Sequence, residues 1–224
     1  MNKNLQENIV PATKQNESNV FFYGNGEKKI LFVGNSITKH APKADIGWYR
    51  DCGMAASSAD ADYVHLLARK FTEYYGEEIS YGIVQVAVFE WNLNTENIEK
   101  YFSSAKDYNP NVMFMFFGAN VSSCYETEEN PPFKFGDSYA ALRNYLIGDN
   151  TTVIHSQGYY IRPKLDAEKL AVAEKYNDAF VNIEGIRNRE ETHGMFNHPN
   201  DLGMKEIADA FFETAIRSIE NEIL

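Results

Sequence analysis

The sequence predicts an α/β domain with a mostly parallel, five-stranded sheet and helices on both faces. Five short apolar runs of strand length occur along the chain, and segments of helical periodicity separate them. Strands that alternate with helices indicate βαβ units, whose right-handed crossovers place helices on both sides of a sheet. The chain of 224 residues is long enough for one domain with a full core.

The predicted strands are continuous apolar runs, which is typical of strands buried on both faces. They are Lys28 to Gly34, Ile79 to Val88, Val112 to Phe117, Thr151 to His155 and Ala179 to Ile183. The predicted helices are Asp60 to Tyr75, Asp137 to Leu146, Asp166 to Tyr176 and a last helix with an apolar stripe from Met204 to Ile219. The polar start of the chain predicts an N-terminal arm over residues 1–27, so the domain is expected to cover residues 28–224.

Composition and charge exclude several classes of function. The formal net charge of −11 would repel nucleic acids and anionic membranes, so we expect neither as a partner. No run of 18 apolar residues is present to span a bilayer, and the polar first residues predict no secretory signal. The two cysteines, Cys52 and Cys124, form no metal-binding motif, so we expect no metal, no other cofactor and a reducing, cytoplasmic location.

Three segments carry residues suited to catalysis, and function in such sheets collects where the strands end. Ser36 follows the first strand, where its hydroxyl can attack a substrate and its N–H can stabilise an oxyanion. Asn120 follows the third strand, and its side chain can donate to the same oxyanion. His198 precedes the last helix and can act as a general base. Each segment alone also fits an ordinary turn, but together they supply a nucleophile, an oxyanion donor and a base.

These segments resemble the sequence blocks of the SGNH, or GDSL-like, hydrolases. Residues 34–36 read Gly-Asn-Ser where the family has Gly-Asp-Ser, and residues 118–120 read Gly-Ala-Asn against its Gly-x-Asn. Residues 198–203 read His-Pro-Asn-Asp-Leu-Gly against its His-Pro-Asn-Asp-x-Gly. The resemblance implies a flavodoxin-like three-layer α/β/α sandwich and the roles given above for the serine, the asparagine and the histidine.

The chain departs from the family pattern at the second block, where the family has a glycine whose N–H joins the oxyanion hole. Residues 85–92 read Gln-Val-Ala-Val-Phe-Glu-Trp-Asn and contain no glycine. Because any residue except proline has a backbone N–H, Ala87, Val88 or a neighbour is expected to complete the hole.

A larger departure concerns the acid that orients the histidine. The family has Asp three residues before the histidine, and Met195 stands there in this chain. Acidic candidates elsewhere are Glu90, Glu190, Glu191 and Asp201. Glu90 is favoured because it follows a predicted strand end, although it also fits an ordinary ion pair. Alternatively, a Ser–His dyad operates with a carbonyl group that orients the ring.

The long loop after Ser36 is the expected place for specificity. It runs from Lys39 to Ser58 and includes Trp48 and Tyr49. Together with Trp91, these aromatic side chains would form a stacking wall for a sugar or another flat apolar face. Equally, the aromatic side chains of this loop could cover an edge of the core.

These observations predict a serine esterase that hydrolyses a small O-acyl ester on a carbohydrate through an acyl-enzyme. Its partner would be a small-molecule ester, namely an acylated sugar. The main alternative is a non-catalytic module that binds a glycan or a peptide, with Met195 as the mark of lost catalysis. A third interpretation, an anion-binding loop at residues 34–36, lacks a glycine-rich run or a lysine cluster.

Overall fold

The computed structural model describes residues 19–222. Within that range the chain forms six strands. They are β1 Val20–Tyr23, β2 Lys28–Gly34, β3 Ile79–Gln85, β4 Val112–Phe116, β5 Thr152–Ser156 and β6 Ala179–Val181. The same range contains seven α-helices. They are α1 Tyr63–Tyr75, α2 Ala87–Glu90, α3 Ile98–Phe102, α4 Phe135–Leu146, α5 Pro163–Tyr176, α6 Glu184–Arg187 and α7 Asp201–Glu222.

The strands form one sheet in the order β1-β3-β2-β4-β5-β6. Strands β2 to β6 pair in parallel with one another, and β1 pairs antiparallel with β3, with Val20 opposite Val84. The mostly parallel α/β prediction is confirmed, but the sheet has six strands in the described residues rather than five. The extra strand, β1, lies within the segment 1–27 that was expected to be an arm, and residues 1–18 lie outside the described range. The apolar run Val20–Tyr23 gains its backbone hydrogen bonds by adding to the edge of the sheet.

Helices cover both faces of this sheet, so the fold has three layers. Side chains alternate along β2, as the strand period requires: Ile30 and Phe32 pack on the face covered by α1 and α7. Leu31 and Val33 pack on the opposite face, where α3, α4 and α5 contribute apolar side chains. Because both faces are covered, the central strands are uniformly apolar, which explains the continuous runs in the sequence.

The carboxyl edge of the sheet differs from the prediction at the end of β3. The strand stops at Gln85 instead of continuing to Val88, and the helix α2 begins at Ala87. The N–H of Val86 donates to Gly34 O at 2.8 Å, which ties this turn to the end of β2. As a result, Glu90 lies at the end of a short helix and is buried. This turn determines the position of two predicted site residues.

Candidate active site

Ser36 and His198 lie in hydrogen-bond contact although 162 positions separate them in sequence. Ser36 Oγ lies 2.8 Å from His198 Nε2. The serine follows β2, and the histidine lies in the loop that precedes α7. A seryl hydroxyl paired with an imidazole nitrogen at this distance is the arrangement required for activation of a nucleophile by a general base.

The other nitrogen of the His198 ring faces two oxygen atoms. Phe196 O lies 3.0 Å from Nδ1, and Tyr160 Oη lies 2.9 Å from it. A carbonyl oxygen only accepts hydrogen bonds, so Nδ1 carries the proton in the neutral ring and Nε2 is left to accept from Ser36. This tautomer is the one that a general base needs.

Met195, the residue at the family's acid position, is 39% exposed. Among the described residues, no carboxylate hydrogen-bonds to His198. Two of the predicted acidic candidates are engaged elsewhere: Glu191 pairs with Arg189 at 3.3 Å, and Asp201 accepts from Ser57 N–H at 2.7 Å. Burial lowers the pKa of His198, and no acidic partner opposes that shift.

Glu90, the favoured acid, is buried beneath the predicted oxyanion hole rather than beside His198. Its Oε2 accepts from Asn120 Nδ2 at 2.6 Å. Its Oε1 accepts from Gly118 N–H at 2.5 Å and from Asn35 Nδ2 at 3.1 Å. The expectation that Glu90 orients the histidine is therefore wrong, because the turn into α2 directs its carboxyl group toward the loop after β4. Burial raises the pKa of the Glu90 carboxyl group, and these hydrogen bonds oppose that shift.

Asn120 lines the same cavity as Ser36 and His198. Its side-chain amide has two protons, and Glu90 accepts a hydrogen bond from this amide group. The second proton of this amide has no hydrogen-bond partner among residues 19–222. The carboxyl group of Glu90 thus determines which end of the Asn120 amide is oxygen and which is nitrogen.

Ala87 also lines the cavity, but its N–H is already engaged. It donates to Gln85 Oε1 at 2.8 Å. In this conformation Ala87 therefore does not offer the oxyanion donor that was expected of it, and the Gln85 side chain would have to move first. Val88, the other residue considered at this turn, lines the cavity as well.

The cavity has a volume of about 640 Å³. Trp91 lines it with a side chain that is 68% exposed. Trp48 is only 1% exposed and packs in the core, so the expectation that it contacts substrate is wrong. Its indole Nε1 donates to His40 O at 3.0 Å, and this anchors the loop from inside. Tyr49 is exposed but does not line this cavity.

The loop that Trp48 anchors lines one side of the cavity with both polar and apolar side chains, namely Lys39, His40, Lys43 and Asp51 beside Ala41, Ile46 and Met54. Lys39 Nζ lies 2.6 Å from Asp51 Oδ1, and both side chains are largely buried. His40 Nδ1 lies 2.6 Å from Ala41 O, so its neutral ring presents Nε2 as an acceptor. Burial lowers the pKa of His40. The side chains of Lys39, His40 and Asp51 therefore have polar groups that can hydrogen-bond to the hydroxyl groups of a ligand.

Tyr160 and His40 are the functional candidates that the sequence analysis did not find. Tyr160 comes shortly after β5, so extending the search to the end of that strand would have found it. His40 lies four residues after Ser36, in the loop singled out for its aromatic residues. Trp48 in that loop does not line the cavity, whereas polar side chains around it do.

In the described part of the chain, no group of three or more His, Cys, Asp and Glu side chains is placed to hold a metal ion. Cys52 and Cys124 are both free thiols. None of the helices within residues 19–222 has the length and apolar character needed to cross a membrane.

Solved structures with the same fold include several esterases and lipases. An esterase, EstA, from Pseudoalteromonas sp. has a TM-score of 0.58 at 13% identity, over 87% of this chain and 100% of that chain. A two-domain esterase active on acetylated mannans has a TM-score of 0.60 at 16% identity, over 85% of this chain and 49% of that chain. A candidate GDSL-like lipase from Bacteroides ovatus has a TM-score of 0.52 at 15% identity, over 88% of this chain and 100% of that chain.

The comparisons in sequence add nothing to this result. No protein-family model matches the chain, and no curated protein matches it. The structural likeness is therefore one of fold, at identities that carry no further conclusion by themselves. At that level the resemblance to the SGNH, or GDSL-like, hydrolases is confirmed: the chain has the three-layer α/β/α fold of the esterases and lipases named above.

Proposed function

We propose that this protein is a serine esterase that hydrolyses a small O-acyl ester of a carbohydrate. The observation that carries the proposal is the 2.8 Å contact between Ser36 Oγ and His198 Nε2 at a cavity that Asn120 also lines. A non-catalytic binding module would not need this pairing. The esterases among the structures of the same fold support the reaction class.

In the proposed mechanism, Ser36 Oγ attacks the acyl carbonyl carbon while His198 Nε2 takes the hydroxyl proton. The Ser36 N–H and the Asn120 amide donate to the oxyanion that forms. The C–O bond to the alcohol then breaks, and His198 returns its proton to the leaving oxygen. Water repeats the sequence on the acyl-enzyme, which releases the acid and restores the serine.

The carbohydrate part of the proposal is supported by the polar side of the cavity. Lys39 and Asp51 form a largely buried ion pair there. Burying two charges costs desolvation free energy, so we infer that the pair is kept for ligand binding. His40 adds a hydrogen-bond acceptor. A leaving alcohol with several hydroxyl groups can make further hydrogen bonds to these side chains, whereas an alkyl chain would make none. The two-domain esterase of the same fold is active on acetylated mannans.

Covalent labelling tests the nucleophile directly. A fluorophosphonate reagent is expected to phosphonylate Ser36 Oγ in the folded protein, since the reagent mimics the tetrahedral intermediate of acyl transfer. Mass spectrometry of the digested protein would place the adduct on the peptide containing Ser36. Ser36→Ala should show no adduct, and unfolded wild-type protein serves as the control for non-specific reaction. Equal labelling of the wild type and Ser36→Ala would refute the proposal.

The polar side of the cavity gives a prediction about selectivity. His40→Ala is expected to lower kcat/KM for an acetylated monosaccharide by about 3- to 10-fold, the worth of one ordinary hydrogen bond. The rate with p-nitrophenyl acetate should change little, because that substrate has no hydroxyl groups. Trp91→Ala should raise KM for the sugar ester, and Tyr49→Ala is the matched control at an exposed aromatic residue outside the cavity. Equal effects on both substrates would argue against a sugar at this wall.

A further inference from the structure

We propose that Tyr160 is the positioning residue of the catalytic histidine, and that its neutral hydroxyl group takes the place of the carboxylate used in Ser–His–Asp triads. This inference rests on the proposed esterase function. It concerns how the His198 ring is held and what that means for the reaction.

The first support is the hydrogen-bond geometry around His198 Nδ1. Tyr160 Oη lies 2.9 Å from Nδ1, and Phe196 O lies 3.0 Å from it. Tyr160 Oη also lies 3.4 Å from Phe196 O, to which it donates. The phenol therefore accepts from the imidazole N–H and donates to the carbonyl, which closes a triangle of polar atoms. A phenylalanine at this position would leave the carbonyl as the single acceptor in that triangle.

The second support is the way the two rings are fixed. The Tyr160 and His198 rings meet edge to face, with centroids 5.7 Å apart and planes at 83°. Tyr160 also packs edge to face against Tyr159, whose hydroxyl group is anchored on Thr192. The segment after β5 is thus joined to the segment before α7 at two tyrosines, through Tyr159 on Thr192 and through Tyr160 on Phe196.

The third support is the backbone that precedes His198. Phe196 and Asn197 both have positive φ values, 55° and 58°. Two consecutive non-glycine residues in this region are unfavourable, so the surrounding structure has to enforce the turn. The turn places the Phe196 carbonyl near Nδ1, and Tyr160 donates to that same carbonyl. Tyr160 therefore supports both the ring and the turn that presents it.

A neutral partner has a consequence that a carboxylate would not have. When His198 takes the serine proton it becomes positive, and a carboxylate would stabilise that charge by a full negative charge. A phenol offers only a dipole, because burial raises the pKa of Tyr160 and keeps it protonated. Burial also lowers the pKa of His198, and His40 adds to that shift. The ring therefore stays an uncharged base at lower pH than a histidine held by an acid.

The charged groups near the ring do not change this result. His40, Lys39, Lys43 and Asp51 line the same cavity, all from the loop after Ser36. Lys39 is paired with Asp51, and Lys43 is an exposed partner of Asp45 at 3.8 Å. The acid limb of the pH–rate profile is accordingly expected below the usual pKa of histidine.

The experiment compares Tyr160→Phe with Tyr176→Phe, which removes a tyrosine hydroxyl group that accepts from Asn144 Nδ2 outside the cavity. NMR titration of the imidazole resonances in the resting proteins gives the His198 pKa without any turnover, with His40 assigned separately. Tyr160→Phe should lower that pKa, because the imidazolium loses an acceptor. It should also lower kcat for p-nitrophenyl acetate by about 10- to 100-fold, the worth of a hydrogen bond to a charged group. Tyr176→Phe should change neither quantity.

The outcomes separate this inference from the proposed function. An unchanged His198 pKa in Tyr160→Phe overturns the inference, whatever the activity, and so does a fall in kcat without a shift of the acid limb. A shifted pKa in a protein that hydrolyses no ester upholds the role of Tyr160 and refutes the esterase proposal. If Tyr160→Phe does not fold, the ¹⁵N chemical shifts of the His198 imidazole in the wild type show which tautomer is present and so test the inference. The Nδ1–H tautomer is expected, and the Nε2–H tautomer would overturn the inference.

Discussion

Ser36→Ala is expected to reduce kcat for ester hydrolysis by about 10⁶-fold, since the acyl-enzyme can no longer form. His198→Ala should cost about as much. The two residues act as one unit through their 2.8 Å contact, so the double variant should be no slower than either single variant. Initial rates with p-nitrophenyl acetate measure all three. Any residual rate would come from binding and the oxyanion donors alone.

A matched control is Ser123→Ala, which removes an exposed serine hydroxyl outside the cavity and should leave the rate unchanged. Circular dichroism and a thermal melt show whether each variant is folded. A Ser36→Ala protein that is folded and still hydrolyses the ester at the wild-type rate would exclude Ser36 as the nucleophile. Additive losses in the double variant would show instead that the two side chains do not work together.

Asn120→Ala is expected to lower kcat by about 10²- to 10³-fold with little change in KM, because an oxyanion donor acts in the transition state rather than on the bound substrate. The comparison of kcat with KM is therefore the measurement that identifies the role. A change confined to KM would place Asn120 in substrate binding instead.

Glu90→Gln should lower kcat as well, by less than Asn120→Ala does, although it removes no side chain that lines the cavity. Both carboxyl oxygens of Glu90 accept hydrogen bonds from N–H groups, so a glutamine must turn its own NH₂ group toward one of these donors. The resulting conflict is expected to disturb the Asn120 amide and to lower kcat by about tenfold or more. Glu168→Gln is the control, since Glu168 accepts from Gly136 N–H at 2.6 Å outside the cavity. Wild-type kcat in Glu90→Gln would contradict a role in orienting Asn120.

The fold was largely predictable because strand burial leaves a direct mark on sequence. The run Lys28–Gly34 is buried on both faces by helices and is predicted at its observed bounds. The end of β3 was not predictable in the same way. Residues 86–88 are as apolar as the strand itself, and an apolar run does not distinguish a buried strand from a buried helix. The error at this turn also led to the wrong partner for Glu90.

Site residues could be predicted from the sequence where the residue type and its motif indicate the chemistry. They could not be predicted where the role depends only on a contact made in the folded protein. Ser36, Asn120 and His198 could be identified from motifs, and the structure places all three at one cavity. Tyr160 has no motif, since its relation to His198 depends on the path of the segment after β5. The prediction for Trp48 was wrong because a tryptophan in a loop can either stack on a ligand or anchor the loop in the core. Only the burial of its side chain, seen in the structure, distinguishes these two roles.

The buried anchor has a thermodynamic consequence for ligand binding. Trp48 ties the loop by its indole hydrogen bond, and bridges between His40 and Cys52 and between Lys43 and Trp48 fix the backbone. The conformational entropy of this loop, which lines one side of the cavity, is therefore lost when the chain folds and not when a ligand binds. An immobilised side chain costs about 0.5–1.5 kcal/mol at the moment of binding, and a preorganised wall avoids that cost. Because the anchor lies on the inner side of the loop, the groups that face the ligand can change in evolution while the wall itself stays in place.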